Sequence, residues 1–331
     1  MNPGLLLPDV TGVDRTTLAV RAEEQGYESV WLGELWGTSA PVQLAEIADR
    51  TDQVTIGTAI VNVFSRTPAT LAMTAKSLDA SSDGRFVLGV GTSTVTAIEN
   101  LHGMAFDRPV RRAHETIELT KRFLGQDGGS GDHRVTYDGE IFQVADFPAL
   151  DVDVPIYHAA LGKANRRVVA RLCDGWIPHN VPFSALDEAF AYVADHAERA
   201  DRDPDDVTVA PYVPAAVADD PDAARDAIRG HVAYYVGSGE GYRNAVASRF
   251  PAAADRVAEA WQSGDRQEAA DAVTDEMVAD LGVAGAPAEA REQLQALVED
   301  TVVDRPIVTI PQQAADDVAE ATIEALAPAN L

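Results

Sequence analysis

Glu34 follows the apolar run Val30-Trp31-Leu32-Gly33, and a carboxylate just beyond a buried strand can give or take a proton at the mouth of a site. The same position suits a helix cap or a salt bridge, and residue type alone leaves both roles open. His158 and His179 stand at comparable points, in VPIYHAAL and DGWIPHNV. Neither has a carboxylate or a third histidine at ligand spacing, so hydrogen bonding or cofactor contact is expected of them and no metal. The stretch LGKANRR, 161–167, puts Gly162 and three cations where a strand gives way to a helix. Free N–H groups at a helix start, reinforced by Lys163 and Arg166, suit a phosphate. Arg167 and Arg171 are expected to form a solvated stripe. A second cationic group, Arg108, Arg111 and Arg112, suits either an anionic tail or surface pairing. No GxSxG elbow, P-loop, HExxH or GxGxxG opening a helix occurs, which removes the usual basis for a hydrolase or NTPase.

The elements that must position these residues follow a repeating rhythm. Strand-like runs at 4–9, 29–34, 54–61, 85–91, 154–161, 174–181, 207–217 and 306–311 alternate with amphipathic, helix-length segments. Short apolar strands joined by helices lie parallel and are covered on both faces. Eight such units favour an α/β fold of the (β/α)8 TIM-barrel type, in which reactive residues sit at the C-terminal strand ends. That is where Glu34, His158, His179 and LGKANRR fall. Two stretches break the rhythm. Residues 126–150 carry a Gly/Asp-rich tip and a run around Asp138-Gly139 that reads as a β-hairpin inserted after the fourth helix. Residues 222–300 are rich in Ala, Asp and Glu and read as an enlarged helical region before the eighth strand. One domain over 1–331 with these two insertions is the expected organisation.

The chain has 331 residues with 26 Lys plus Arg against 53 Asp plus Glu, a net charge of −27. Such a charge repels nucleic acid and anionic membranes. Its only lysines are Lys76, Lys121 and Lys163, and short carboxylates in place of lysine stems suit a protein in concentrated salt, which screens self-repulsion; a halophilic source is expected. The lone Cys173 can form no internal disulfide. The start, MNPGLLLPDV, reads as neither a signal peptide nor a membrane span, so a cytoplasmic protein, assembled as a homodimer or higher homo-oligomer, is expected.

Four segments carry a family resemblance: VWLGE, IGTAIVNVFSRTPATLAMTAKSLDASSDGRFVLGVG, FDRPVRRAHETIEL and VPIYHAALGKANRRVVARLCDGWI. They resemble the luciferase-like superfamily of flavin and deazaflavin enzymes, and within it the branch using coenzyme F420. The resemblance covers 4–181 well and the remainder poorly. It implies a non-prolyl cis peptide at Ala59-Ile60, in a bulge backing the cofactor ring. It also implies a lining of Asn62, Thr92, Ser93 and Thr94, and a phosphate site at Leu161, Gly162 and Lys163, the last agreeing with the anion site read from the residues. Methylenetetrahydromethanopterin reductases are similar by motif, yet their acids in the first strand and after the fourth correspond to Leu6 and Thr94; only Glu115 keeps a carboxylate. The Asp-His pair of F420-dependent alcohol and sugar-phosphate dehydrogenases corresponds to Glu34-Leu35. The resemblance thus implies hydride transfer between F420 and a small substrate, a pterin-bound one-carbon unit among the candidates, with Glu34 and Glu115 as the catalytic carboxylates. Two alternatives stand beside it: a two-component FMN monooxygenase of the same fold, and a cofactor-binding barrel without catalysis.

Overall fold

The computed structural model describes residues 2–126 and 134–331, and the chain divides into two compact units. The Gly/Asp-rich tip expected in the insertion lies outside the described residues, apart from Gln126.

One unit comprises Trp31–Trp176 and Asp195–Val207. Its parallel strands are Thr55–Thr58, Val61–Asn62, Phe86–Gly91, Ile156–Ala159 and Gly175–Trp176. The central strand Phe86–Gly91 is buried along its whole length, which explains its unbroken apolar sequence. It pairs Ile56 with Phe86 on one side and Gly91 with Ala159 on the other. His158 is held in register with Val90 and Trp176. Helix Pro68–Ser81 starts on a local cap: Thr67 accepts from the Thr70 backbone N–H, and Pro68 is its first residue. Helix Pro109–Leu124 ends at Gly125, whose φ of 84° is the left-handed stop that glycine adopts freely.

Two sequence expectations shift here. The run expected as one strand over 54–61 is interrupted, because the chain bulges at Ala59-Ile60 before pairing resumes at Val61–Asn62. The hairpin is present as Arg134–Asp138 paired antiparallel with Gln143–Pro148. Its turn is longer than a two-residue Asp-Gly turn: Asp138 pairs with Gln143, and the Gly139 N–H donates to the Phe142 carbonyl at 2.9 Å.

The second unit comprises the chain up to Val30, Ile177–Ala194 and Thr208–Leu331. Strand Ile307–Thr309 lies between Gly4–Leu6 and Tyr212–Val217, all parallel. The expected strand over 207–217 is split into Thr208–Val209 and Tyr212–Val217, with Ala210-Pro211 between them. Residues 222–300 are not wholly helical as expected: Val283–Gly285 is a strand, parallel to Tyr212–Val217. The remaining helices of this stretch cover it. Pro221–Ser238 buries Ala224, Ile228, His231, Val232 and Val236 along one stripe, the period of a helix packed on one face. Ala224, Ile228, Val232 and Val236 pack with Val257, Met277 and Leu281 into one apolar cluster. At Gly237 a Cβ would come within 2.1 Å of the Trp261 ring, so only glycine permits that helix contact. No helix among the described residues is long and apolar enough to cross a membrane.

Candidate functional site

The Ala59-Ile60 bond is cis, at the position expected from the resemblance. The bulge it forms is clipped to the preceding segment at both ends: Ala59 N–H donates to the Leu32 carbonyl at 2.8 Å, and Glu34 N–H to the Ile60 carbonyl at 3.1 Å. Glycines on either side admit it. A Cβ at Gly33 would stand 3.0 Å from the Ala59 oxygen, and one at Gly91 would meet the Ile60 side chain at 3.0 Å. Immediately after the bulge, buried Asn62 turns the chain. Its Oδ1 accepts from the N–H groups of Phe64 (3.0 Å) and Ser65 (2.8 Å), and its Nδ2 lies 3.2 Å from His102 Nε2. Thr92, Ser93 and Thr94 are half-buried at the end of strand Phe86–Gly91. Thr94 Oγ1 accepts from the Ala97 N–H, and Ser93 has a left-handed φ of 58°.

His158 is fully buried on the neighbouring strand. Its Nδ1 lies 3.1 Å from the Val90 carbonyl oxygen, which can only accept, so Nδ1 carries the proton. Burial lowers its pKa, against weaker opposing effects of the Val90 carbonyl and Asn165, and the ring is neutral with an acceptor lone pair at Nε2. That atom is buried without a hydrogen-bond partner among the described residues. Beyond this strand come half-buried Leu161, then Gly162, the N-cap of helix Lys163–Leu172. Gly162 and Lys163 are exposed, and nothing lies within 4 Å of a Cβ built at Gly162. Arg166, one turn on, places its guanidinium 5.5 Å from the Trp176 ring centre, and the Trp176 indole donates to the Ala160 carbonyl at 2.7 Å. The bulge, Asn62, the Thr92–Thr94 loop, His158 and the Gly162 helix start thus all belong to C-terminal ends of parallel strands in one unit.

The two carboxylates are engaged differently from a free proton donor. Glu34 forms a bidentate pair with Arg66, with nitrogen–oxygen distances of 2.8–3.0 Å. Its Oε2 also accepts from the Ala40 N–H, the first of helix Ala40–Arg50. Of the two roles its position suited, Glu34 occupies the cap and salt bridge. Glu115 stands apart from the strand ends and is wholly buried. Its Oε1 accepts from Arg111 Nε (2.7 Å) and the Glu140 N–H, and its Oε2 from the N–H groups of Ile141 and Phe142. Burial would raise its pKa, but the backbone donors of Ile141, Glu140 and Phe142 and the Arg111 guanidinium prevail and hold it below the ordinary carboxylate value. An anion so held anchors the hairpin turn.

Most of the second cationic group pairs at the surface. Arg108 faces Asp107 and Glu140, and Arg111 faces Glu115 and Glu140. Arg112 instead lies 4.9 Å from the Phe64 ring centre and 5.7 Å from that of Phe142. Sequence spacing did not single out Arg66, His102 or Phe64; Glu34 lies 32 residues from Arg66, Asn62 lies 40 from His102, and Arg112 is also distant from Phe64, where no local pattern reaches.

The luciferase-like monooxygenase family profile matches residues 13–305. A Mycobacterium tuberculosis protein named as a coenzyme F420-dependent oxidoreductase is 30% identical over 301 residues, covering 84% of this chain and 85% of the relative. The 5,10-methylenetetrahydromethanopterin reductase of Methanolobus tindarius is 27% identical over 285 residues, covering 84% of each. The structure of the F420-dependent tetrahydromethanopterin reductase of Methanopyrus kandleri superimposes with a TM-score of 0.80 at 22% identity, over 99% of this chain and 97% of that one. This last likeness shows the fold class, the (β/α)8 type anticipated from the strand–helix rhythm. The chain belongs to the luciferase-like monooxygenase family and is an oxidoreductase.

Proposed function

We propose that the protein is a coenzyme F420-dependent oxidoreductase that transfers a hydride between the deazaflavin and a small-molecule substrate. The observation carrying this reading is the bulge at Ala59-Ile60, hydrogen-bonded to Leu32 and Glu34, packed closely against Gly33 and Gly91 and flanked by polar residues. A relative named for F420 supports the choice of cofactor.

The residues present fit such a group. The buried Nε2 of neutral His158 has no hydrogen-bond partner among the described residues, and Gly162 opens a helix with clear space over its Cα. When bound, F420 supplies a planar tricycle whose reactive carbon carries hydride and does not readily activate oxygen. Ala59 and Ile60 would back the ring. Asn62, Thr92, Ser93 and Thr94 would line the ring and its side chain. His158 would offer its lone pair as an acceptor. Leu161, Gly162, Lys163 and Arg166 would hold the phosphate at the helix start, where N–H groups and cations favour an anion. Glu34 holds Arg66 and the first turn of the following helix in place, so any proton transfer by its carboxylate requires release from Arg66. The polar character of these residues suits hydride transfer with a proton partner better than shelter of an oxygen adduct in a dry, apolar pocket.

Titration of the apo protein with F420 and with FMN at matched salt tests the reading. Tighter F420 binding, with oxygen-independent hydride transfer, is expected. Tighter FMN binding together with oxygen-dependent turnover would assign the two-component monooxygenase activity instead.

A further inference from the structure

The unit that holds the bulge also carries an open cavity of about 320 Å³ that the cofactor reading does not use. Glu118, Lys121 and Arg122 reach it from the last turns of helix Pro109–Leu124, and Arg171 and Leu172 from the end of helix Lys163–Leu172. Arg202 comes from the segment Asp195–Val207 of the same unit. Arg171 lies nine residues beyond Gly162, about 13 Å along the helix axis, so the cavity is distinct from the anion position at the helix start. Arg171 is exposed, and Lys121, Arg122 and Arg202 are half-buried; a ligand from solvent meets these cations without any rearrangement of the core.

The charges around this cavity do not balance. Lys121 Nζ donates to Asp174 at 2.9 Å and to the Leu172 carbonyl at 3.0 Å, and Arg122 Nη2 donates to Glu118 at 2.8 Å. Glu118, which lines the cavity, and its neighbour Asp174 are thus already paired. Arg202 donates to the Ala170 and Cys173 carbonyls at 2.9 and 2.8 Å, and a helix C-terminus returns only about half an elementary charge. Arg171 has no ion pair or hydrogen bond among the described residues. Its charge is felt at His114, one turn before Glu118: burial lowers the His114 pKa, Glu118 opposes the shift, and Arg111 and Arg171 deepen it. Capping of the helix carbonyls accounts for Lys121 and Arg202, but not for Arg171. Four cations around one cavity, in a chain of net charge −27, concentrate positive potential on a molecule that otherwise repels anions.

We infer that this cavity binds a compact dianion, the phosphate group of a small molecule or inorganic phosphate itself. Arg171, with its whole guanidinium fork uncommitted, makes the principal contact, since two parallel N–H groups match two phosphate oxygens. Lys121, Arg122 and Arg202 supply the surrounding field. Two negative charges meet the surplus that Arg171 and Arg202 leave, whereas an uncharged ligand offers nothing to offset the water stripped from the cations. No aromatic side chain lines the cavity among the described residues, so a nucleobase finds no stacking surface. The inference rests on this cavity alone and is independent of the cofactor reading.

The test is calorimetric titration of the full chain with inorganic phosphate at pH 8, where phosphate is mostly dianionic, in a fixed concentration of sodium chloride. The second readout is the His114 ring proton, assigned through His114→Gln and followed by NMR against pH with and without sulfate, a dianion across the whole histidine range. Saturable phosphate binding is expected, and bound sulfate should raise the His114 pKa by offsetting Arg171. Because Arg171 is exposed and holds no structural contact, Arg171→Gln and Arg171→Glu keep the fold. The first should weaken phosphate about tenfold, the scale of one charge-assisted hydrogen bond, and the second should abolish the His114 response. Lys163→Ala, at the other anion position, should leave that response in place. Absence of saturable binding of both phosphate and sulfate, or a His114 response that persists in Arg171→Glu, would overturn the inference. So would a response lost in Lys163→Ala and kept in Arg171→Glu, which would put the anion at the Gly162 helix start. None of these outcomes alters the comparison of F420 with FMN.

Discussion

Two side chains show how the surroundings select among the roles that a residue type permits. The Glu34 carboxylate is 16% exposed and its partner Arg66 is 20% exposed; a charged pair this sheltered, with a helix N–H as a third donor, is worth more than a surface ion pair. Glu34→Gln removes the charge while keeping the size, and should cost about 1–3 kcal/mol of stability, read as a lower unfolding midpoint in denaturant. If Glu34 acts through Arg66 and the helix start, cofactor affinity in that variant stays within about twofold while the midpoint falls. Cys173 shows the converse, a reactive residue type made inert. It is wholly buried, and burial, assisted by nearby Asp174 against Lys121 and Arg202, pushes its thiol up to about 12. The thiolate is therefore scarce at neutral pH. The native protein should resist a disulfide reagent for hours and release one equivalent of thiol on addition of denaturant, followed by absorbance.

Among the elements, the inserted hairpin and the helix opened by Gly162 make separable predictions. The turn over Gly139–Phe142 hangs on a single carboxylate, since Glu115 accepts three of its backbone N–H groups. Glu115→Gln puts an amide that must donate among groups that can only donate. A loss of about 3 kcal/mol is expected, the scale for a buried charged acceptor removed from its donors, with faster proteolysis of the hairpin at a dilute-protease endpoint. Because Glu115 would be anchoring and not catalytic, hydride-transfer rate per folded molecule should be retained. Helix Lys163–Leu172 opens at Gly162, which has no side chain to cap it, and the N–H groups of a helix's first turn suit an anion. Lys163→Ala should weaken binding of the phosphorylated cofactor by about 1.5–3 kcal/mol, the scale of one charge-assisted hydrogen bond. Salt mutes that difference, so both proteins must be titrated at one ionic strength; unchanged affinity would move the phosphate away from this helix.

At the scale of the whole chain, charge and buried histidines act in opposite directions on acidification. His158, His179 and His231 are each held below the ordinary histidine pKa by burial. The unfolded chain therefore takes up protons near pH 6.5 that the folded one refuses, and their contribution to stability is complete above that pH and is lost as pH falls below it. Three such groups give a slope of up to about 4 kcal/mol per pH unit. The net charge of −27 repels itself, and protonating carboxylates relieves that repulsion, so the histidine effect is isolated at high salt. Denaturant midpoints at pH 7.5, 6.5 and 5.5 in concentrated salt should fall steadily. A flat profile would mean that these rings take up protons in the fold at the same pH as in the unfolded chain. The alternation of apolar strands and amphipathic helices was legible in the residue order because it arises from local periodicity, the hairpin was legible from the Asp138-Gly139 pair, and the Ala59-Ile60 bulge was expected only through the family resemblance. Strand Val283–Gly285 was not, since three small residues between helices carry no period and become a strand only through pairing with Tyr212–Val217. The role of Glu34 depended on Arg66, 32 residues away, and the contact of His179 with His231 spans 52. Composition and local pattern dictate which elements form, whereas hydrogen bonds and burial between distant elements decide which polar side chains are tied into the framework and which are left to meet a ligand.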